Sequence, residues 1–119
     1  MLRVGIDLVQ VSRIAESLDA FGDRFLARVF TDAEVAYARS TQDVAARLAA
    51  RFAAKEAVKK ALRLDGVGWR DIEVVRAPDG ACDIALHGAA CAALGAGALA
   101  LSMSHEGDHA TAVVIASGV

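Results

Sequence analysis

The sequence predicts a single α+β domain over residues 1–119, with a mainly antiparallel sheet packed against one long central helix. Three observations lead to this fold class. The length of 119 residues is that of one ordinary domain. The predicted elements follow the order β-ααα-ββ-α-ββ, which lacks the regular strand–helix alternation of a parallel sheet. Residues 43–63 contain no glycine or proline and are rich in helix-forming side chains, which predicts the long helix.

The first predicted strand runs directly into the first predicted helix. Large apolar side chains alternate with other residues over positions 2–9, which is the period of a strand, so Asp7 points away from the apolar face. Ser12 precedes a helical pattern over residues 13–20. Its hydroxyl can accept a hydrogen bond from the free amides of a first helical turn, so we expect Ser12 to cap this helix.

Two further helices follow in the first half of the chain. Thr31 and Glu34 have the spacing of a capping box, so a second helix begins at Thr31. Phe30 and Val35 are placed to form the hydrophobic staple that accompanies such a box. The third helix is the segment of residues 43–63 already described.

The second half of the chain predicts four strands and one short helix. A turn at Pro78-Asp79-Gly80 separates the first two strands, and Gly95 ends the helix. Residues 105–109 join the last two strands as a hairpin. The strands are residues 71–76, 82–86, 98–104 and 110–116, and the helix is residues 88–94.

The composition argues against several classes of protein. Apolar residues make up 55% of the chain, yet no apolar run reaches the roughly 18–20 residues that span a bilayer, so we expect no membrane segment. Asp7 lies where a secretory signal would keep its apolar region, so we expect a cytoplasmic protein. Cys82 and Cys91 form no CxxC pair, which argues against a zinc site or a disulfide scaffold.

The small side chains indicate that the chain associates with copies of itself, and the uneven charge indicates an acidic partner or ligand. The chain has 27 alanines and only 5% aromatic residues, and such a core buries little area, so we expect oligomerisation. Residues 24–63 hold nine basic against four acidic residues, although the net charge of the chain is −2. This basic region can face an acidic protein or a phosphorylated ligand. Nucleic acid is disfavoured because aromatic and basic residues do not interleave.

Asp7 is the first candidate for chemistry. A carboxylate on an otherwise apolar strand is costly to bury unless it is paired or binds a cation. Gly5 lies two residues earlier on the same face and leaves room for a ligand or for another backbone. The alternative is structural, with Asp7 paired with an arginine on an edge strand or capping a neighbour.

Glu56 is the second candidate, because Phe52, Glu56 and Lys60 share one face of the predicted long helix. A surface ion pair between Glu56 and Lys60 explains this spacing without any ligand. An acid beside an aromatic side chain, on a face that should pack, instead needs a partner such as a divalent cation. Basic residues recur at every fourth position of the helix, and we expect most to be solvated and a few to contact phosphates. They are Arg47, Arg51, Lys55, Lys59 and Arg63.

The third candidate lies at the end of a predicted strand. Ser104 and His105 can donate hydrogen bonds to a phosphate group there. The alternative is an ordinary hairpin with polar turn residues. A metal site of His105, Asp108 and His109 is disfavoured, because that spacing suits a helix rather than a turn.

Together these segments resemble the holo-acyl-carrier-protein synthase family of 4′-phosphopantetheinyl transferases. The resemblance covers essentially the whole chain and rests on three motifs in the order and at the spacing of the family. The N-terminal motif is Gly5-Ile6-Asp7-Leu8 with Arg13-Ile14. The central motif, which is the most specific, is Arg51-Phe52-Ala53-Ala54-Lys55-Glu56-Ala57 with Lys60-Ala61. The C-terminal motif is Ser102-Met103-Ser104-His105 with Ala110 and Ala112.

The resemblance implies transfer of the phosphopantetheine arm of coenzyme A to a serine of apo acyl carrier protein, with release of adenosine 3′,5′-bisphosphate. It implies Mg²⁺ held by Asp7 and Glu56, and Mg²⁺ favours one or two carboxylates together with phosphate oxygens and water. The general base is either Glu56, which we favour, or a metal-bound water. The residues that the resemblance implies for coenzyme A are Arg51, Lys60, Gly66, Ser104 and His105.

The resemblance also implies an assembly and a docking surface. Members form trimers with active sites between subunits, which suits the alanine-rich core. Arg13, Arg24 and Arg28 are expected to attract the acidic carrier protein. The segment of residues 62–69 is shorter than the glycine-rich loop of many members, which leaves open how the pantetheine arm is covered. A non-catalytic module that binds the carrier protein or coenzyme A is the alternative to an enzyme.

Overall fold

Strands and helices account for most of the chain in the computed structural model, which describes residues Met1–Val119. The strands are β1 (Leu2–Gln10), β2 (Ile72–Arg76), β3 (Cys82–Leu86), β4 (Ala98–Glu106) and β5 (His109–Ser117). The helices are α1 (Val11–Phe21), α2 (Asp23–Val29), α3 (Asp32–Arg39), α4 (Val44–Leu62) and α5 (Gly88–Leu94), with a 3₁₀ turn over Trp69–Asp71 before β2. None of the helices has both the length and the apolar character that crossing a lipid bilayer requires.

The strands form two antiparallel sheets rather than one. Strand β5 lies between β1 and β4 in a three-stranded sheet, and β2 pairs with β3 in a separate hairpin. Helix α4 packs against β1 and β5. The predicted α+β class, with an antiparallel sheet against a long helix, is confirmed. Strands β3 and β4 share no ladder of hydrogen bonds, so there are two sheets rather than one.

A glycine in β1 allows the close approach of α4. A β-carbon at Gly5 would lie 1.9 Å from the carbonyl oxygen of Ala57, a distance that no side chain tolerates. Buried alanines on α4 and β5 keep the helix and sheet backbones close together in the same way. These are Ala53, Ala57 and Ala61 on α4, and Ala110, Ala112 and Ala116 on β5. The room at Gly5 is therefore taken by another backbone and not by a ligand.

The large apolar side chains of β1 face away from α4. Leu2, Val4, Ile6 and Leu8 are between 62 and 72% exposed, whereas Val9 on the opposite face is buried. We term the surface formed by these four residues and their neighbours on β5 and β4 the outer face of the sheet. Exposed apolar surfaces of this kind commonly mark interaction sites.

The start of α1 differs from the prediction. The capping position is Gln10, whose side chain makes no capping hydrogen bond. Ser12 lies inside the first turn of the helix, and its hydroxyl donates to Asp108, which is 96 positions away. The predicted Ser12 cap is therefore wrong, because β1 continues without a break into the helix and a distant residue bonds the first turn.

The helices that follow are partly as predicted. The sequence does not predict α2, which is separated from α1 by Gly22 with a φ of 53°. The capping box of α3 is confirmed. The Thr31 hydroxyl accepts from the Glu34 amide at 3.2 Å, and the Glu34 carboxylate accepts from the Thr31 amide at 2.8 Å.

The last hairpin is tighter than predicted. Residues 105–109 were expected to form its turn, but the ladder continues to the pair of Glu106 and His109. Only Gly107 and Asp108 make the turn, and the φ of 57° at Gly107 suits a residue without a side chain. The polar residues on either side belong to the strands.

A lysine of α4 that was expected to be solvated is buried in an ion pair. Lys55 Nζ lies 2.7 Å from Glu34 Oε1, and both side chains are 0% exposed. The ammonium also donates to the carbonyl oxygens of Trp69 and Ile72, while the Val74 amide donates to the second oxygen of Glu34. Burial lowers the pKa of Lys55, and Glu34 opposes this effect. Full hydrogen bonding is what makes two buried charges tolerable here.

Candidate active site

An acidic cleft forms where β1 meets α4. The cleft has a volume of about 520 Å³ and is lined by Asp7 of β1 and Glu56 of α4. As predicted, Asp7 lies on the face of β1 opposite to the outer face. Burial raises the pKa of Glu56 and the charge of Asp7 raises it further, while Lys59 and Lys60 oppose the shift. Two carboxylates that repel one another in a partly buried cleft favour a cation between them. We term this site the acid cleft.

Lys60 pairs with Asp7 and not with Glu56. Its Nζ lies 3.2 Å from Asp7 Oδ1 and donates a 2.9 Å hydrogen bond to the carbonyl oxygen of Ile6. The surface pair of Glu56 with Lys60 is therefore not formed, because the end of α4 lies close to β1. The Lys60 side chain is 55% exposed, so it is free to turn towards a ligand that enters the cleft.

Strand register places Ser104 and His105 on opposite faces of the sheet. His105 pairs with Ala110, which pairs in turn with Val9, so His105 lies on the side that faces α4. Ser104 is level with Leu8 and lies on the outer face. His105 does not line the acid cleft itself. At the end of β4, His105 and Ser104 both line a separate small pocket, which also includes Leu8 of the outer face.

Three arginines lie on one surface beside the acid cleft. Arg13 of α1 lines the cleft itself. Arg24 and Arg28 of α2 line an adjoining groove, which shares Phe25 with the cleft. All three arginines are exposed. The residues predicted to attract the carrier protein are thus brought together.

Arg51 and Gly66 do not line the acid cleft. Arg51 is 3% exposed, and its guanidinium carbon lies 4.4 Å from the ring centroid of Tyr37, on the side of α4 that faces β2. Burial lowers the pKa of Arg51, and its Nε has no hydrogen-bond partner. Gly66 is exposed in the loop after α4, with a φ of 71°. Arg51 therefore lies on a face of α4 away from the acid cleft, and Gly66 lies in the loop that follows the helix.

An aromatic contact beside the cleft cannot be read from the sequence pattern. Phe52 lines the cleft and packs against Trp69, with ring centroids 5.0 Å apart. The ammonium of Lys59 lies 3.3 Å from the centroid of the Trp69 ring. Burial lowers the pKa of Lys59, and Glu56 opposes this effect. Helical spacing identifies the face that carries Phe52, but Trp69 comes from beyond the loop after α4, so local periodicity contains no signal for it.

The acid cleft combines two carboxylates with nearby basic side chains. No group of three or more His, Cys, Asp or Glu side chains is placed to hold a metal ion. The pair of Asp7 and Glu56 therefore suits an ion that takes further ligands from water and phosphate, as Mg²⁺ does. Lys60 and Arg13 add positive charge at the same cleft. Such an arrangement can bind and polarise a phosphate group.

Comparison with known families decides between the possible chemistries. The family model of the 4′-phosphopantetheinyl transferase superfamily matches residues 3–114. The chain belongs to this superfamily. The match confirms the resemblance that the three sequence motifs indicate.

Curated members of the superfamily match nearly the full chain. The holo-(acyl-carrier-protein) synthase of Koribacter versatilis (strain Ellin345) is 46% identical, with 97% of each chain covered. That of Paramagnetospirillum magneticum (strain ATCC 700264 / AMB-1) is 48% identical, over 97% of this chain and 95% of the relative.

Solved structures of phosphopantetheinyl transferases have the same fold as this chain. The ACPS–CoA complex from Chronobacterium ammoniagenes has a TM-score of 0.88 and 34% identity, over 98% of this chain and 96% of that one. The Helicobacter pylori holo-(acyl-carrier-protein) synthase in complex with coenzyme A has a TM-score of 0.86 and 31% identity, over 96% and 99% of the two chains. The phosphopantetheinyl transferase fold predicted from the motifs is therefore confirmed.

Proposed function

We propose that this chain is a cytoplasmic enzyme that transfers 4′-phosphopantetheine from coenzyme A to a serine of apo acyl carrier protein. The observation that carries the proposal is the acid cleft, in which Asp7 and Glu56 from two separate motifs lie together beside Lys60. The two relatives described above are named for this activity, and the two solved structures are complexes with coenzyme A.

Asp7 and Glu56 are the proposed ligands of Mg²⁺. The donor set fits the ion, because Mg²⁺ binds through one or two carboxylates and completes its shell with water and phosphate oxygens. Burial and then repulsion from Asp7 raise the pKa of Glu56, and a divalent cation would relieve the repulsion. Held by Asp7 and Glu56, Mg²⁺ would supply positive charge for the pyrophosphate of coenzyme A and for the leaving group.

The transfer is an in-line substitution at phosphorus. The serine oxygen forms a bond to the phosphorus that bears pantetheine, and the bond from this phosphorus to the bridging oxygen of the pyrophosphate breaks. The electron pair of that bond leaves with adenosine 3′,5′-bisphosphate. The serine proton passes to Glu56, which lines the cleft and is the proposed general base.

Lys60 and His105 are the proposed phosphate contacts within one subunit. Lys60 already bonds Asp7 at the cleft, and its exposed ammonium can give up this bond and bind a phosphate oxygen instead. His105 lies at the end of β4 on the same side of the sheet. Both contacts would hold coenzyme A in the ground state as well as in the transition state, so they would contribute mainly to its affinity.

We also propose a homotrimer with active sites between subunits. The exposed outer face of β1 supports an assembly, because a neighbour seated there would bury the large apolar side chains. Ser104 lies on this face and would then meet the neighbouring subunit. Arg51, whose Nε has no hydrogen-bond partner, and Gly66 would contact coenzyme A in a site formed by two subunits.

The surface of Arg13, Arg24 and Arg28 is the proposed dock for the acidic carrier protein. The three side chains are exposed and lie along the cleft and its adjoining groove. Exposed charges of this kind act chiefly on the rate of encounter. This surface would bring the carrier serine towards Glu56.

One assay tests the proposed function directly. Purified chain is incubated with apo acyl carrier protein, coenzyme A and Mg²⁺, and the carrier is analysed by intact mass. We expect the mass to increase by one phosphopantetheine group, and we expect no increase with a chelator or with a carrier whose acceptor serine is replaced by alanine. Binding of the carrier or of coenzyme A without any change in mass would instead identify a non-catalytic module.

A further inference from the structure

The turn between β4 and β5 is hydrogen-bonded to the first turn of α1. Asp108 Oδ1 accepts from the Ser12 amide at 2.9 Å, and Oδ2 accepts from the Ser12 hydroxyl at 2.7 Å. The backbone oxygen of Asp108 accepts from the Val11 amide at 2.8 Å. The hydrogen bonds from Ser12 lower the pKa of Asp108, which keeps the carboxylate ionised as their acceptor. We term these three bonds the Asp108 clamp.

Helix α1 has no cap of its own. The side chain of Gln10 makes no capping bond, and the first turn contains no acidic residue. A helix leaves its first amides without partners inside the helix. In α1 the amides of Val11 and Ser12 are satisfied by Asp108 alone. The first turn of α1 therefore depends on a residue from the opposite end of the chain.

Arg13 follows Ser12 directly and lines the acid cleft. We propose that Asp108 is a positioning residue for the carrier protein: by clamping Ser12 it fixes the first turn of α1 and holds Arg13 at the cleft. The inference rests on the proposed function, because it takes Arg13 as a contact of the carrier protein.

The clamp acts on the carrier side of the site and not on the coenzyme A side. His105 belongs to β4, where it pairs with Ala110, and the ladder continues to the pair of Glu106 and His109. These backbone pairs do not involve the Asp108 side chain. Loss of the carboxylate therefore removes both bonds to Ser12, keeps the bond from Val11 to the Asp108 backbone, and leaves His105 in place.

A simple charge effect predicts the opposite result. The carrier protein is acidic, so removing a negative charge next to Arg13 would by itself strengthen its attraction to this surface. Loss of the clamp weakens binding instead, because Arg13 is no longer held at the cleft. The two explanations differ in the sign of the effect.

The test compares Asp108→Ala and Asp108→Asn with the control Glu106→Ala, which removes one exposed negative charge from the same hairpin. We expect Asp108→Ala to raise the KM for the carrier protein about five- to tenfold, as expected for the loss of a helix cap, with the KM for coenzyme A unchanged. Asp108→Asn restores most of the loss, because the amide oxygen can still accept from Ser12. Glu106→Ala does not raise the KM for the carrier.

Amide hydrogen exchange provides a second measurement that needs no turnover. Asp108→Ala should speed exchange at Ser12, whose amide loses its acceptor, whereas Glu106→Ala should not. An unchanged KM for the carrier protein, an equal rise in the KM for coenzyme A, or unchanged exchange would each overturn the inference. Failure of the unmodified chain to transfer phosphopantetheine would contradict the proposed function. The hydrogen-exchange rates would still show whether Asp108 fixes the first turn of α1.

Discussion

Asp7 and Glu56 are unfavourable neighbours in the absence of a cation. Burial and repulsion from Asp7 both disfavour the charged form of Glu56, and the nearby Lys59 and Lys60 offset this effect only in part. Such an arrangement contributes little to folding and is suited to binding. Replacing either carboxylate should therefore harm the reaction far more than the fold.

We predict that Asp7→Asn and Glu56→Gln each lower turnover at limiting Mg²⁺ by about a hundredfold or more, because a charged metal ligand is lost. Thermal unfolding of both variants should stay close to that of the unmodified chain, since a repulsive pair is removed. Steady-state kinetics over a Mg²⁺ titration and thermal melts measure the two effects.

Glu16→Gln is the matched control, because Glu16 is an exposed acid of α1. It should change neither the turnover nor the Mg²⁺ dependence. Turnover close to normal in Asp7→Asn or Glu56→Gln at limiting Mg²⁺ would show that the metal assignment is wrong.

The sequence predicted the residue chemistry where the signal is local. The alternation at residues 2–9 placed Asp7 correctly, and helical spacing placed Glu56 on a face with Phe52. It failed for Lys55, because the burial of this charge depends on Glu34, which lies 21 positions earlier. Spacing along one helix contains no information on a partner from another helix.

At the scale of elements, the site depends on how closely α4 approaches β1. The backbones meet at Gly5, and this contact brings the end of α4 near enough for Lys60 to bond Ile6 and Asp7. A side chain at Gly5 would have to displace helix backbone, which cannot give way as a flexible side chain can.

We predict that Gly5→Ala destabilises the protein by about 1–3 kcal/mol or more, because its β-carbon overlaps the backbone of Ala57. Urea unfolding measures the loss. Gly68→Ala is the control, since nothing lies within 4 Å of its β-carbon and its φ is not positive. Equal losses in the two variants would contradict the close-approach argument.

A second contact between elements is a set of hydrogen bonds that links the cap of α3, strand β2 and the residue before α5. Glu73 of β2 accepts a 2.7 Å hydrogen bond from the Thr31 hydroxyl and lies 3.0 Å from Nε2 of His87. Burial alone would raise the pKa of Glu73, but the hydrogen bonds from Thr31 and His87 outweigh it and lower the pKa. The ionised carboxylate is therefore the form that holds this contact together.

We predict that this carboxylate contributes stability above its ordinary pKa of 4.5 and that the contribution is lost as the pH falls through the lower folded value. Glu73→Gln should therefore be less stable than the unmodified chain near about pH 7, with the difference shrinking near about pH 3. Denaturant unfolding at both pH values measures this. Asp83→Asn, at an exposed position of β3, is the control, and a difference independent of pH would refute the prediction.

Element boundaries were predictable where glycine, proline or a capping box marks them. Strand β3 and helix α5 match their predicted ranges, and the capping box begins α3 at the predicted position. The start of α1 was not predictable in this way, because its first turn is bonded by Asp108. The tight last hairpin was missed since polar residues such as His105 continue the strand ladder beyond the apolar run.

At the scale of the whole molecule, the sequence did not predict which face of the sheet is exposed. Periodicity at residues 2–9 reveals two faces of a strand but not which of them meets the helix. Gly5 and the alanines of α4 occupy the inner side, which leaves the larger side chains outside. The proposed assembly with other subunits would cover a surface of this kind.

We predict that Val4→Lys converts a trimer into monomers at micromolar concentration and removes most transfer activity. Val4 is 65% exposed on the outer face and does not line the acid cleft, so loss of activity would act through assembly. Light scattering with a parallel transfer assay measures both effects. Ala89→Lys, which adds the same charge at an exposed position of α5, is the control and should stay trimeric and active.

A monomeric unmodified chain at this concentration would contradict the trimer. Full activity of a monomeric Val4→Lys variant would instead show that one subunit contains a complete site. In that case Ser104 and Arg51 would have no role in binding coenzyme A, because the proposal places both at a site that two subunits share.

Trp69 is the only tryptophan of the chain, so its fluorescence reports on a single place in the molecule. The indole lies between Phe52, which lines the acid cleft, and the ammonium of Lys59. A ligand that contacts Phe52 or draws Lys59 towards a phosphate would change the polarity around the indole. The wavelength and intensity of its emission should therefore shift when coenzyme A binds, providing an optical titration that requires neither a label nor turnover.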